Sequence, residues 1–164
     1  MIVFLDIDGV LVTWESMRAY HQIKEHHKIP KSEMFNKNSV DALKYLLDFY
    51  VNEESKIVIS SAWRIKGLSY MREILENAGI SNEVIGVTPT HPEGIRGMEI
   101  LQFIADNKIP SDEKIFVIDD EVVDIVQSLK HLSNVTIINV SHGLMRYGLS
   151  KEIVDDYLRT GVRK

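Results

Sequence analysis

Apolar residues in this chain fall into short unbroken runs, separated by stretches with a helical period. The runs are Ile2-Val3-Phe4-Leu5, Lys56-Ile57-Val58-Ile59, Val84-Ile85-Gly86-Val87, Ile115-Phe116-Val117-Ile118 and Val135 to Val140. Branched and aromatic side chains without alternation are the pattern of strands covered on both faces. Between the runs, apolar residues recur three and four positions apart, as on one face of a helix. Val40, Leu43, Leu46 and Leu47 form one such stripe, with Asn38 or Ser39 as its N-cap. Leu68, Met71, Ile74, Leu75 and Ala78 form the next, and Gly79 suits the position just past its end. Met98, Leu101, Ile104 and Ala105 mark a helix that stops before Pro110. Val122, Ile125, Val126 and Leu129 mark another, and Ile153, Val154, Tyr157 and Leu158 a last one capped by Ser150. Leu11 to Asn38 has no sustained period, and Pro30 interrupts it. Thr88 to Gly94 and Ser141 to Leu149 read as loops.

Strands alternating with helices from end to end predict an α/β fold. It is a doubly wound, Rossmann-like, mostly parallel five-stranded sheet with helices on both faces. The aperiodic stretch reads as a small cap insertion at about 12–38 in a single domain spanning 1–164, a length that supports a sizeable core.

A parallel sheet with right-handed crossovers sends the carboxyl ends of its strands to one edge, where open α/β sheets bind ligands. Three of the predicted strands end in polar residues: Asp6 and Asp8 after the first, Ser60 and Ser61 after the second, Asp119 and Asp120 after the fourth. Gly9 lets the first of these loops turn. If the first strand lies between the second and fourth, these ends share a cleft. Carboxylates converging there repel one another unless a cation intervenes. An all-oxygen donor set suits magnesium, which favours phosphate as a further ligand. Ser60 offers a hydroxyl for an anionic substrate, and Arg96 a positive charge. Each group also has a plainer reading. Asp6 to Gly9 serves as an acidic turn, Ser60-Ser61 as a strand-to-loop pair, and Asp119-Asp120-Glu121 as a helix cap with an acidic first turn. Arg96 at a helix start is mildly disfavoured by the helix dipole, which favours a role in a site. Their joint occurrence at three strand ends is not expected by chance.

Composition narrows this only a little. Hydrophobic residues make up 45% and charged residues 26%, as in ordinary globular proteins. The absence of cysteine excludes thiolate metal sites, disulfides and a thiol nucleophile. No apolar run is long enough to cross a bilayer and no basic leader precedes one, so no membrane association and a cytoplasmic location are expected. A net charge of −5 argues against a general nucleic-acid coat protein, though not against a nucleic-acid end as substrate. The 11–38 stretch is locally basic, with Arg18, Lys24, Lys28, Lys31 and Lys37 against Glu15, Glu25 and Glu33. It reads as a substrate-facing cover or as a solvated insertion. None of the six histidines has the paired spacing of metal ligands.

Asp6-x-Asp8-Gly9-Val10, Ser60 after a strand, Arg96 before a helix, and Val117-Ile118-Asp119-Asp120 together resemble the haloacid dehalogenase (HAD) superfamily of phosphotransferases. The match runs in order from Ile2 to about Val140. Ser60-Ser61-Ala62-Trp63-Arg64 and Arg96-Gly97-Met98-Glu99-Ile100 are similar to the small HAD domains associated with multidomain RNA-repair proteins. The resemblance implies a magnesium-dependent phosphatase with Asp6 as nucleophile and Asp8 as general acid and base. It implies Ser60 and Arg96 on the phosphoryl group, although this family more often uses lysine at the latter position. Magnesium would be held by Asp6, Asp119, Asp120 and the Asp8 backbone carbonyl. Gly9, Ser61, Arg64 and Trp14 are expected at the substrate. Trp14, Trp63 and Arg64 could stack a base or sugar, although packing between loop and core is the plainer reading of either tryptophan. His142, Gly143 and Arg146 lie on the loop after the fifth strand, near the same edge.

The expected partner is a phosphorylated substrate. A cover this short leaves the cleft open, which favours a nucleotide or a polynucleotide terminal phosphate. A phosphatase of a small metabolite, a phosphomutase and a receiver-like phosphoacceptor module are the alternatives. A receiver module places its acceptor after a middle strand, and it has no use for Asp8.

Overall fold

The first strand, β1 (Ile2–Leu5), is buried at every residue, because the sheet continues on both sides of it and helices cover both faces. The computed structural model describes residues 1–50, 54–141 and 147–160. Along the chain follow α1 (Trp14–Gln22), α2 (Lys37–Phe49), β2 (Lys56–Ile59), α3 (Leu68–Asn77), β3 (Val84–Val87), α4 (Arg96–Asp106), β4 (Ile115–Asp119), α5 (Val123–Leu129), β5 (Val135–Asn139) and α6 (Lys151–Thr160). The strand order is β3-β2-β1-β4-β5, and every pairing is parallel. The opening strand is therefore central, between β2 and β4.

Alternation along the strands sorts side chains onto two faces. Val3 and Leu5 lie with Ile57, Ile59, Phe116 and Ile118 against Leu43, Leu46 and Leu47 of α2, Leu75 of α3 and Val154 of α6. Ile2, Phe4, Val58 and Val117 face the other way, onto Ile100 and Phe103 of α4 and Ile125 and Leu129 of α5. Burying each such side chain contributes about 1.5–3 kcal/mol. Phe4 meets Phe103 edge-on at 5.6 Å between ring centroids. Gly86 makes room for that ring, since a Cβ there would stand 2.8 Å from it.

The structure departs from the sequence expectations in three places. The stretch read as irregular contains α1, started by a reciprocal cap in which Thr13 and Ser16 each bond the other's backbone N–H. Short 3-10 turns follow at His26–Lys28 and Lys31–Met34. The α2 helix begins earlier than expected, with Asn36 rather than Asn38 or Ser39 as cap; Asn36 Oδ1 accepts from the Ser39 N–H at 3.1 Å. The reading of Asp119-Asp120-Glu121 as a helix cap fails, because Asp119 ends β4 and the N-cap of α5 is Val122, without a side-chain cap. His142, Gly143 and Arg146 lie outside the described residues. Among the described residues, no helix is long and apolar enough to cross a membrane.

Candidate active site

Strand register brings the polar residues together. Leu5 pairs with Ile59 on one side and with Ile118 on the other. One residue further, Ser60, Asp6 and Asp119 stand in a row across three neighbouring strand ends. Ser60 N–H donates to the Leu5 carbonyl at 2.9 Å and Asp6 N–H to that of Ile118 at 3.0 Å, which carries the pairing to the edge. By the same alternation that puts Phe4, Val58 and Val117 against α4 and α5, all three side chains belong to that face. The α4 helix begins there with Arg96. Its Nη1 lies 3.0 Å from Asp6 Oδ1 and 2.7 Å from Asp119 Oδ2, so one nitrogen bridges both acids.

Asp6, Asp119 and Asp120 each offer a carboxylate oxygen, all within 4.8 Å of one another. Asp6 is 4% and Asp119 1% exposed. Burial pushes Asp6 up to about 6, and the Asp120 charge adds to the rise. Arg96 and hydrogen bonds from Ser61 and the Ile7 backbone oppose it. Burial and the Asp6 charge push Asp119 up to about 7, against Arg96 and the Glu121 N–H. Burial works against the charge on Arg96, but the two carboxylates outweigh it and raise its affinity for its proton. Arg96 bridges two of these three carboxylates. An all-oxygen donor set of converging carboxylates fits a hard divalent cation. Gly9 shapes the same wall. Its backbone is left-handed at φ +76°, and a Cβ there would collide with the Asp120 carboxylate.

Residues 2–154 match the family described as the HAD domain in Swiss Army Knife RNA repair proteins. The chain belongs to this family. Among solved structures it resembles the HAD domain of the effector protein Lem4 from Legionella pneumophila. That likeness is 18% identity over 96% of this chain and 93% of that one, with a TM-score of 0.50. A haloacid dehalogenase-like hydrolase from Streptococcus pneumoniae is similar at 13% identity, over 95% of this chain and 90% of that one, also at 0.50. No curated protein matches the sequence.

The remaining residues of this HAD domain fall into two groups. Ser60 is 1% exposed, and its hydroxyl has no hydrogen-bond partner among the described residues. A buried hydroxyl in that condition is poised to bond a ligand. Ser61 bonds the Asp6 side chain, and its Oγ accepts from the Trp63 N–H at 3.4 Å. Arg64 has two contacts within the protein. Its Nη2 pairs with buried Glu99 at 2.7 Å, and its Nη1 donates to Thr88 Oγ1 at 3.4 Å. That pairing fastens the turn after β2 to α4, while the buried Nε of Arg64 has no hydrogen-bond partner among the described residues. Trp14, at the start of α1, is 72% exposed. Trp63 carries a contact that spacing could not reveal: its indole N–H donates to Asp8 Oδ2 at 3.0 Å.

Proposed function

We propose that this HAD domain is a magnesium-dependent phosphomonoester hydrolase that works through an aspartyl phosphate on Asp6. The observation that carries the reading is the row of Ser60, Asp6 and Asp119 at one sheet edge, with Arg96 bridging the two acids. Asp6, Asp119 and Asp120, with the Asp8 backbone carbonyl, would hold magnesium; when bound, it supplies positive charge for the carboxylates and the phosphoryl oxygens. Asp6 attacks phosphorus as the bond to the ester oxygen breaks. Asp8 gives its proton to that departing oxygen. In the second half, Asp8 takes a proton from water, the water oxygen bonds to phosphorus, and the bond to Asp6 breaks to release phosphate. Arg96 neutralises charge on Asp6 and on the phosphoryl group, and the unpartnered Ser60 hydroxyl donates to a phosphoryl oxygen.

For substrate we infer a nucleotide or a polynucleotide terminal phosphate. Its supports are the shortness of the 12–38 insertion, taken here as a small cap, and a family described from RNA repair proteins. The test is turnover of an aryl phosphate with magnesium, followed by oligonucleotides phosphorylated at either end, mononucleotides and sugar phosphates. Many turnovers per chain, abolished by Asp6→Asn and by a chelator, are expected. A single stoichiometric labelling without turnover would instead mean a phosphoacceptor. Preference for sugar phosphates over every nucleotide would overturn the substrate assignment.

A further inference from the structure

Asp8 is exposed, and its side chain has one hydrogen bond from a rigid neighbour, the indole of Trp63. Indole nitrogen is a donor only, so it occupies one carboxylate oxygen and leaves the other, Oδ1, for a substrate. The donor itself is firmly placed. Trp63 lies in the turn Ala62–Lys66 after β2. That turn is capped by Ser61 at its start and pinned by Arg64 to Glu99, a carboxylate 2% exposed. The ring also rests against Phe35, 6.0 Å away between centroids and tilted by 52°. Phe35 belongs to the 12–38 insertion and is itself buried.

We propose that Trp63 is a positioning residue for Asp8: it selects the orientation in which Oδ1 faces the ester oxygen, and through Phe35 it ties that orientation to the seat of the insertion. This rests on the acid–base role given to Asp8 above. A carboxylate that must hand a proton to a leaving oxygen within hydrogen-bond reach depends on such orientation. A Trp63 that merely fills space would show no preference for one substrate over another.

Leaving-group dependence separates the two. The measurement is kcat/KM, which covers the steps up to departure of the alcohol, for an alkyl phosphate and for dinitrophenyl phosphate in the magnesium-loaded protein. The first leaving group needs a proton and the second does not. Trp63→Phe keeps a ring against Phe35 and removes the N–H. It should lower the alkyl value on the order of tenfold, and the dinitrophenyl value less than about twofold. In an Asp8→Asn background the same change should bring no further loss on the alkyl substrate. Equal losses on both substrates, or losses that simply add to those of Asp8→Asn, would overturn the proposal. Asp8→Asn leaving alkyl turnover intact would instead sink the acid–base role, and the positioning role with it. If Trp63→Phe folds poorly, benzothienylalanine at position 63 keeps the ring's shape without the N–H and should give the same pattern. Independently of activity, the indole 1H–15N resonance that Trp63→Phe removes should shift in Asp8→Ala; an unmoved resonance would deny the contact.

Discussion

Asp6 and Asp119 place the balance of charge in the cluster within experimental reach. Folded, they hold protons up to about 6 and about 7, against an ordinary value of 3.8. Between those limits the native chain binds more protons than the unfolded one. The stability they contribute is therefore complete below about pH 4 and drains away as pH rises through 6 to 7. Each pH unit corresponds to about 1.4 kcal/mol, so the pair together loses stability on the order of a few kcal/mol. Unfolding of the metal-free protein between pH 4.5 and 7.5 should show wild type losing stability relative to Asp6→Asn/Asp119→Asn, and magnesium should restore it. Parallel pH curves for the two proteins would remove the cluster from the account. Arg96 supports a second test. One nitrogen, Nη1, makes both of its contacts, so a point charge does the work and the guanidinium fork is not required. Arg96→Lys should retain activity within about tenfold, whereas Arg96→Met should lose roughly a hundredfold or more in kcat. Steady-state assays of the two variants check this, and equal losses would show that the fork geometry matters.

What places Arg96 is the close approach of α4 to α5. A Cβ on Gly97 would stand 2.5 Å from the Ser128 side chain and 2.8 Å from the Asp124 carbonyl. The Gly97 N–H instead donates to Asp124 Oδ2 at 3.0 Å, satisfying an open group at the start of α4. Gly97→Ala should push the helix start outward, destabilise the fold by about 1–3 kcal/mol, and lower kcat beyond what the unfolded fraction explains, because Arg96 moves with it. Urea unfolding alongside kcat at a temperature where the variant is fully folded decides it; full activity in the folded variant would mean that α4 tolerates the shift. Elements of this kind were unequally legible in the sequence. All five strands and the helices from α2 onward announce themselves, because each strand is a short apolar run and each helix repeats apolar residues three and four positions apart, although α4 buries Ile100 and Phe103 rather than the stripe begun by Met98. The α1 helix does not, since its start rests on the Thr13–Ser16 cap and no sustained apolar period runs along it. The acids at the strand ends were legible because parallel topology sends every carboxyl end to one edge. Trp63 reaching Asp8 across 55 positions, and Arg64 pairing with Glu99 across 35, depend on side-chain packing that spacing does not encode.

Over the whole molecule, the charge distribution bears on what can approach the site. The chain carries −5 overall, while residues 11–38 hold Arg18, Lys24, Lys28, Lys31 and Lys37 against Glu15, Glu25 and Glu33. Not all of that positive charge is equally available. Lys28 is paired with Glu25 at 2.7 Å, and together the two present no net charge to a distant anion. Lys24 and Lys31 are exposed, and among the described residues neither has an ion pair within 4.0 Å. A polyanionic substrate feels such charges over a Debye length, about 10 Å at 0.1 M salt, whereas a small ester bound at the acids feels chiefly Arg96 and the cluster itself. Lys24→Gln/Lys31→Gln should therefore raise KM for a phosphorylated oligonucleotide roughly threefold at low salt, as two exposed interactions of about 0.3 kcal/mol each would do. The effect should vanish near 0.5 M salt, with kcat unchanged and KM for an aryl phosphate unmoved. A salt-independent rise, or one shared by the aryl phosphate, would mean that these lysines shape the segment rather than attract substrate through it.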